Sequence, residues 1–396
     1  MSDRRLGVGF IGSGFNARFH MLGWKGVRDG DVLGVWSPNG KNAASAAEYA
    51  RQLDVGAAKP YKSITDMVKD PAIDAIWLTG PNHARIENVE ELCDAVVKGK
   101  GTLKGIASEK PLARNVAEAK EVLRLVKKAG LMHGYLENQV FAPQVETGRN
   151  LIWARGASTT GRPYLARAAE EHAGPHMPWF WRGPLQGGGV LSDMMCHSAL
   201  VVRHLLTKPG EPLANVQPKK VTAHIASLKW SRPAYARQLA KMHGKEVDYT
   251  KHPSEDFASL VIEFETKDGY TVIGEASTSW SFVGAGLRLF FSREVKGKTG
   301  EDLVEKQNAE MGLMPVVASE AVAYGYEAED RHFVRCFLGK ETPLLTMDDG
   351  LDVVHMLMTA YQSAEQGKTI DYPGKGLDKF QPAVAREDWH PPKQGS

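Results

Sequence analysis

Residues 6–17 read LGVGFIGSGFNA: a Gly- and Val-rich apolar run from Leu6 to Ile11, a glycine turn, and from Phe15 a stretch able to continue as a helix. A short apolar run closed by glycine is the pattern of a buried strand feeding a tight turn. Gly12, Gly14 and Ala17 fall at the spacing G-x-G-x-x-A. The two glycines permit the turn and let a pyrophosphate approach the backbone. Small Ala17 lets helix pack on strand, and the N–H groups at Phe15 and Asn16 then face the phosphates. A purely structural glycine turn reads the same locally, so the context decides.

Outward from that stretch, apolar runs at 31–36, 75–79, 105–108 and 132–134 alternate with helical spacing at 41–53, 64–68, 86–97 and 116–129. Strands and helices alternating at this interval predict a parallel sheet covered on both faces. Asn115 and Glu118 form a capping-box pattern at the start of the last helix, and Gly130 follows its end. After about residue 138 the pattern changes. A helix is expected at 144–154, an irregular stretch at 161–189, and a helix at 191–206. Runs at 221–230, 258–264 and 270–279 alternate apolar and polar residues, with Asp268-Gly269 as a hairpin turn between the last two. They predict a mostly antiparallel sheet with one face left for helices or a partner subunit. A late helix at 350–366, a strand near Ile370 and a Pro-rich tail without a core pattern complete the chain.

The 396 residues suffice for two to three domains, and 42% hydrophobic with 24% charged residues is ordinary globular usage. Lys plus Arg number 49 against 47 Asp plus Glu, a net charge of +2 without a long basic block, which argues against nucleic acid as a main partner. Cys93, Cys196 and Cys336 fit neither a disulfide framework nor a Cys-rich zinc site. No apolar stretch reaches membrane-spanning length. Arg4-Arg5 and the apolar run after them imitate a signal peptide, but the run meets Asn16, Arg18 and His20 without a cleavage site, so a cytoplasmic protein is expected.

Three further patterns carry chemistry. At the end of the second strand, where an acidic residue would hold the ribose hydroxyls of NAD, stands Ser37 in Ser37-Pro38-Asn39-Gly40-Lys41. Ser37, Asn39 and Lys41 permit a 2′-phosphate and hence NADP, or bind NAD through neutral groups. Glu109-Lys110-Pro111 places a cation at the carboxyl end of a parallel strand, where ligands of open α/β sheets bind. Gly187-Gly188-Gly189 precedes Asp193 and His197, which share a helix face at i and i+4, as a general base with its orienting carboxylate or as a structural ion pair.

Taken in order, these motifs resemble the glucose-fructose oxidoreductase and inositol dehydrogenase family, Gfo/Idh/MocA, over nearly the whole chain to about residue 372. The resemblance implies an α/β protein: an N-terminal Rossmann NAD(P)-binding domain (1–137), an α/β domain with a large, mostly antiparallel open sheet for substrate binding and oligomerisation (138–372), and a tail (373–396). It implies oxidation of a secondary hydroxyl of a sugar, glycoside or cyclitol with NAD or NADP, and a homodimer or homotetramer packed through that sheet. The family's catalytic positions fall on Lys110, Asp193 and His197, and its cofactor contacts on Gly12, Gly14, Phe15, Asn16, Thr79, Pro81, Asn82, Glu109 and Lys110. Three features depart from it, one being a longer segment before Glu109-Lys110-Pro111 with extra Gly99, Gly101 and Gly105. Thr79-Gly80-Pro81-Asn82-His83-Ala84-Arg85 puts Arg85 where a His is usual, and the run 286–291 looks short of a further strand. Within the stretch 170–182, Glu171, His172, His176, Trp179 and Trp181 suit a sugar, although the tryptophans serve equally as core. Gly174-Pro175 breaks any helix aligning His172 with His176, so no metal is expected. A redox-neutral glycoside-cleaving enzyme and a non-catalytic dinucleotide sensor are the alternatives.

Overall fold

The computed structural model describes residues 5–281, 285–290 and 319–391. The chain divides into two compact units, one gathering residues 1–113, 118–144 and 318–351 and the other 114–117, 145–317 and 352–396.

The first unit is built on a six-stranded sheet: β1 (Leu6–Ile11), β2 (Gly30–Trp36), β3 (Lys59–Pro60), β4 (Ala75–Leu78), β5 (Gly105–Glu109) and β6 (Met132–Leu136), in the order β3-β2-β1-β4-β5-β6. Every pairing is parallel. That is the Rossmann order, and it reverses between β1 and β4, where the strand ends leave a crevice for a ligand. β1 and β4 are buried along their whole length, because helices cover both faces. Helices Phe15–Gly23, Gly40–Gln52, Arg85–Val97 and Val116–Lys128 lie within one or two residues of the expected spans. Asn39 caps the second, its Oδ1 accepting from the N–H of Lys41 at 3.0 Å and of Asn42 at 3.4 Å. The helix Tyr326–Phe337, not foreseen in the sequence, lays Phe333, Val334 and Phe337 into the same core as Leu6, Phe10, Trp24 and Trp77.

The second unit carries β7 (Leu165–His172), β8 (Val216–Ala226), β9 (Phe257–Thr266), β10 (Thr271–Ser279), β11 (Ala285–Phe290) and β12 (Ile370–Asp371), in the order β11-β7-β10-β9-β8-β12. All pairings are antiparallel except β7 with β10. Two expectations fail here. The stretch 161–189 is not irregular throughout, since it contains β7, held between β10 and β11. The strand expected to reach residue 230 stops at Ala226, because the carboxylate of Asp256 collects the N–H groups of Leu228, Lys229 and Trp230 at 2.6–2.9 Å and turns the chain aside. The tail also joins this unit's core, with Leu377 and Val384 buried. Residue 291 and the stretch that follows it to 318, where the sheet looked short, lie outside the described residues.

Candidate active site

In the first unit the glycine turn leaves β1 with Gly12 at φ +123°, and a Cβ there would stand 2.7 Å from Thr79 Oγ1 and 2.8 Å from the Gly80 nitrogen. Only glycine fits. Gly14 differs. Its φ of −76° is open to any residue, and a Cβ would meet nothing within 4 Å. No side chain caps the helix Phe15–Gly23 that it opens, and no acidic residue sits in the first turn. An uncapped helix start facing open space, with the macrodipole positive there, fits an anion such as a dinucleotide pyrophosphate. Gly14→Val should therefore fold like the parent and yet weaken nicotinamide dinucleotide binding about tenfold or more, by filling that space. Fluorescence titration with the reduced cofactor checks this, and equal affinity would remove the site.

The neighbours are fixed from behind. Phe15 is 61% exposed and stacks on Phe19, while Asn16 Oδ1 accepts from the Tyr326 hydroxyl at 3.1 Å. Thr79 Oγ1 donates to the Ile11 carbonyl at 3.3 Å. Arg85 is buried, donating to the carbonyls of Glu109, Pro111 and Gly80 and to Asn82 Oδ1. It braces the Glu109-Lys110-Pro111 turn from within. Ser37 is half-buried at the end of β2, with Asn39 and Lys41 exposed beyond it.

Sequence reasoning missed what holds Glu109. His20 is fully buried between two carboxylates, Nε2 lying 2.8 Å from Glu109 Oε1 and Nδ1 2.8 Å from Asp330 Oδ1. Glu109 Oε2 accepts from the N–H of Lys110 at 3.0 Å, and Trp77 Nε1 donates to Asp330 at 2.9 Å. Burial alone would lower the His20 pKa, but Asp330 and Glu109 outweigh it and hold the imidazolium well above the usual range. Burial pushes Glu109 up, yet His20 and Lys110 bring it net below its ordinary value. Burial raises both Asp330 and the adjacent buried Glu329. His20 appears in the sequence only as a polar residue inside an apolar helix, and its partner Asp330 lies 310 residues away.

In the second unit Asp193 and His197 lie on the helix Val190–Leu206, every residue of which is buried, and this helix packs against β7 and β10. His197 Nε2 is 3.9 Å from Glu170 Oε2. Glu170 rather than Glu171 therefore faces the histidine; the residue after it points to the other side of the sheet, since strand side chains alternate. The signal that separates them is the strand itself, which lies in a stretch whose sequence predicts irregular structure. His172 Nδ1 accepts from the Gly174 N–H at 2.9 Å, and His176 is exposed. The tryptophans part company. Trp179 is half-buried and stacked on Phe180, whereas Trp181 is 2% exposed in an aromatic cluster with Trp230, Tyr249 and Trp280, its Nε1 donating to the Pro175 carbonyl at 3.0 Å. Buried to this degree and with its N–H satisfied, Trp181 packs as a core residue.

Residues 6–135 match the family described as oxidoreductase family, NAD-binding Rossmann fold, and residues 156–300 match the GFO/IDH/MocA C-terminal domain. Among curated relatives, D-xylose dehydrogenase of Paenarthrobacter nicotinovorans is 28% identical over 247 residues, 61% of this chain and 56% of that protein. The chain thus spans little more than half the length of that relative. D-Apiose dehydrogenase of Paraburkholderia graminis is 21% identical over 96% of this chain and 93% of its own. Levoglucosan dehydrogenase in complex with NADH shares the fold at TM-score 0.67 and 20% identity, over 93% of this chain and 100% of that one. Among the described residues, no helix is long and apolar enough to cross a membrane.

Proposed function

We propose, from the premise that the chain belongs to the GFO/IDH/MocA oxidoreductase family, that it is an NAD(P)-dependent dehydrogenase oxidising a secondary hydroxyl of a sugar, glycoside or cyclitol. The observation that carries this reading is His197, buried on one helix face with Asp193 and with the Glu170 carboxylate 3.9 Å from its Nε2. When bound, a nicotinamide cofactor would supply the hydride acceptor. His197 takes the hydroxyl proton, and Glu170 favours the imidazolium that results. Asp193 orients the imidazole or the substrate from one helical turn before it. Lys110 hydrogen-bonds the reacting oxygen and stabilises its developing charge. His172, His176 and Trp179 are the remaining sugar-facing candidates. The relatives named above as xylose, apiose and levoglucosan dehydrogenases support the substrate class.

The open face of the second unit's sheet, where Val261 is 43% exposed, supports a homo-oligomer packed through that face. The function is tested by incubating the protein with a panel of sugars, glycosides and cyclitols and each cofactor, following absorbance of the reduced nicotinamide. A substrate-dependent rise is expected with at least one of them.

On cofactor choice, NADP should be used at least comparably to NAD, because Ser37 offers a hydroxyl where a carboxylate would repel the 2′-phosphate. Ser37→Asp should then shift kcat/KM toward NAD by roughly tenfold through charge repulsion. A parent strictly selective for NAD would show that neutral groups here exclude the phosphate.

A further inference from the structure

The helix carrying Asp193 and His197 starts with no cap of its own, since Gly189 at its N-cap has no side chain. Its buried N–H groups need acceptors. Two residues distant in the chain supply them. Glu255 Oε1 accepts from the N–H of Gly189 at 2.9 Å and of Leu191 at 3.1 Å. The Tyr361 hydroxyl accepts from the N–H of Gly189 at 3.1 Å and of Ser192 at 3.2 Å, and donates to Glu255 Oε1 at 2.6 Å. The Glu255 carbonyl takes the N–H of Val190 at 3.1 Å. Both side chains are fully buried. The glycine run makes room for them: a Cβ on Gly188 would stand 1.9 Å from the Tyr361 hydroxyl, and one on Gly189 would stand 2.5 Å from the Glu255 carbonyl oxygen.

We propose that Glu255 and Tyr361 are positioning residues that lock the start of this helix and thereby set where Asp193 and His197 stand, one and two turns further along. A helix is stiff along its axis, so an end free to shift carries its side chains with it, and misplacing a catalytic group by about 1 Å can cost up to 10²-fold in rate. Burial raises the Glu255 pKa to about 7, against the lowering effect of the Tyr361 hydrogen bond, so this carboxylate is held where ionisation costs free energy. The glycines of the motif thus serve the clamp as well as the turn.

The proposal rests on reading His197 as the base, and the test separates the two. Tyr361→Phe keeps the ring and removes one oxygen, Glu255→Ala removes the acceptor, and Glu255→Gln keeps a carbonyl oxygen. Amide hydrogen exchange at Gly189, Leu191 and Ser192 should quicken at least tenfold in Tyr361→Phe and Glu255→Ala, with the β8–β10 amides unchanged. In both, kcat should fall about tenfold while KM and cofactor affinity stay within twofold, and Glu255→Gln should recover most of the loss. Unchanged exchange at those three amides, or unchanged kcat in both variants beside an inactive His197→Ala, overturns the proposal. Should His197→Ala keep full turnover, the reading of the base fails by itself, and the clamp stands or falls on the exchange rates and on the His197 titration followed by NMR in Tyr361→Phe. If Glu255→Ala does not fold, Tyr361→Phe alone decides.

Discussion

His197→Ala and Lys110→Ala are each expected to lower kcat by about 10²-fold or more, the usual scale for a lost acid-base or charge-stabilising group. In His197→Ala cofactor affinity should hardly change, because that residue belongs neither to the Gly12–Gly14 turn nor to the helix that follows it. The two variants should differ in their pH profiles. In the oxidative direction only a neutral imidazole accepts the hydroxyl proton, so the parent and Lys110→Ala speed up as pH rises through the titration of the base, while His197→Ala loses that limb. Steady-state kinetics across pH with the substrate found by screening decides. Near-parental turnover in His197→Ala with an unchanged profile would move the base elsewhere.

The second large effect is on stability. His20→Ala removes the cation between Glu109 and Asp330, leaving buried carboxylates without it, and breaking such a pair costs roughly 3–5 kcal/mol. A fall in Tm of roughly ten degrees should follow. His20 is raised in the folded state, so its contribution is full below the unfolded value of about 6.5 and is lost as pH climbs through the raised one. Glu109 is lowered, so its share is present above the ordinary carboxylate range and is lost as pH falls through its folded value. The gap in Tm between parent and His20→Ala should therefore be widest from mildly acidic to neutral pH and should narrow at alkaline pH. A gap that stayed constant from acid to alkali would mean that His20 is held as a neutral ring. Because Glu109 Oε2 also holds the N–H of Lys110, part of the loss should reach the Glu109-Lys110-Pro111 turn.

The first sheet was legible because its information is local. The glycine spacing after β1 and the alternation of apolar runs with helical ones each fit within about thirty residues, and five of the six observed strands fall within a residue or two of the expected ones; the two-residue edge strand β3 is too short to show a pattern. β7 was not legible. Its residues, LARAAEEH, are mostly helix formers, and they adopt the extended form because β10 and β11 pair with them on either side. Without a strand no alternation exists to separate Glu170 from Glu171. The helix Pro233–His243 was also passed over, although Pro at its first turn followed by Ala, Gln and Leu was a usable start signal. The motif residues of the site stood out as residue types at fixed spacings. Their supports did not: Asp330 for His20, Glu255 and Tyr361 for Gly189, and Glu109 and Pro111 for Arg85 come together only through the tertiary fold.

Whether the protein moves a hydride from a sugar carbon to the nicotinamide is tested most directly with a substrate deuterated at the carbon that is oxidised. The deuterium should be recovered in the reduced nicotinamide in step with formation of the carbonyl product, and kcat should fall by a primary isotope effect where that step limits the rate. Deuterium that stays in a cleaved sugar with no net reduced cofactor, or cofactor binding without turnover of any sugar, glycoside or cyclitol, would contradict that transfer.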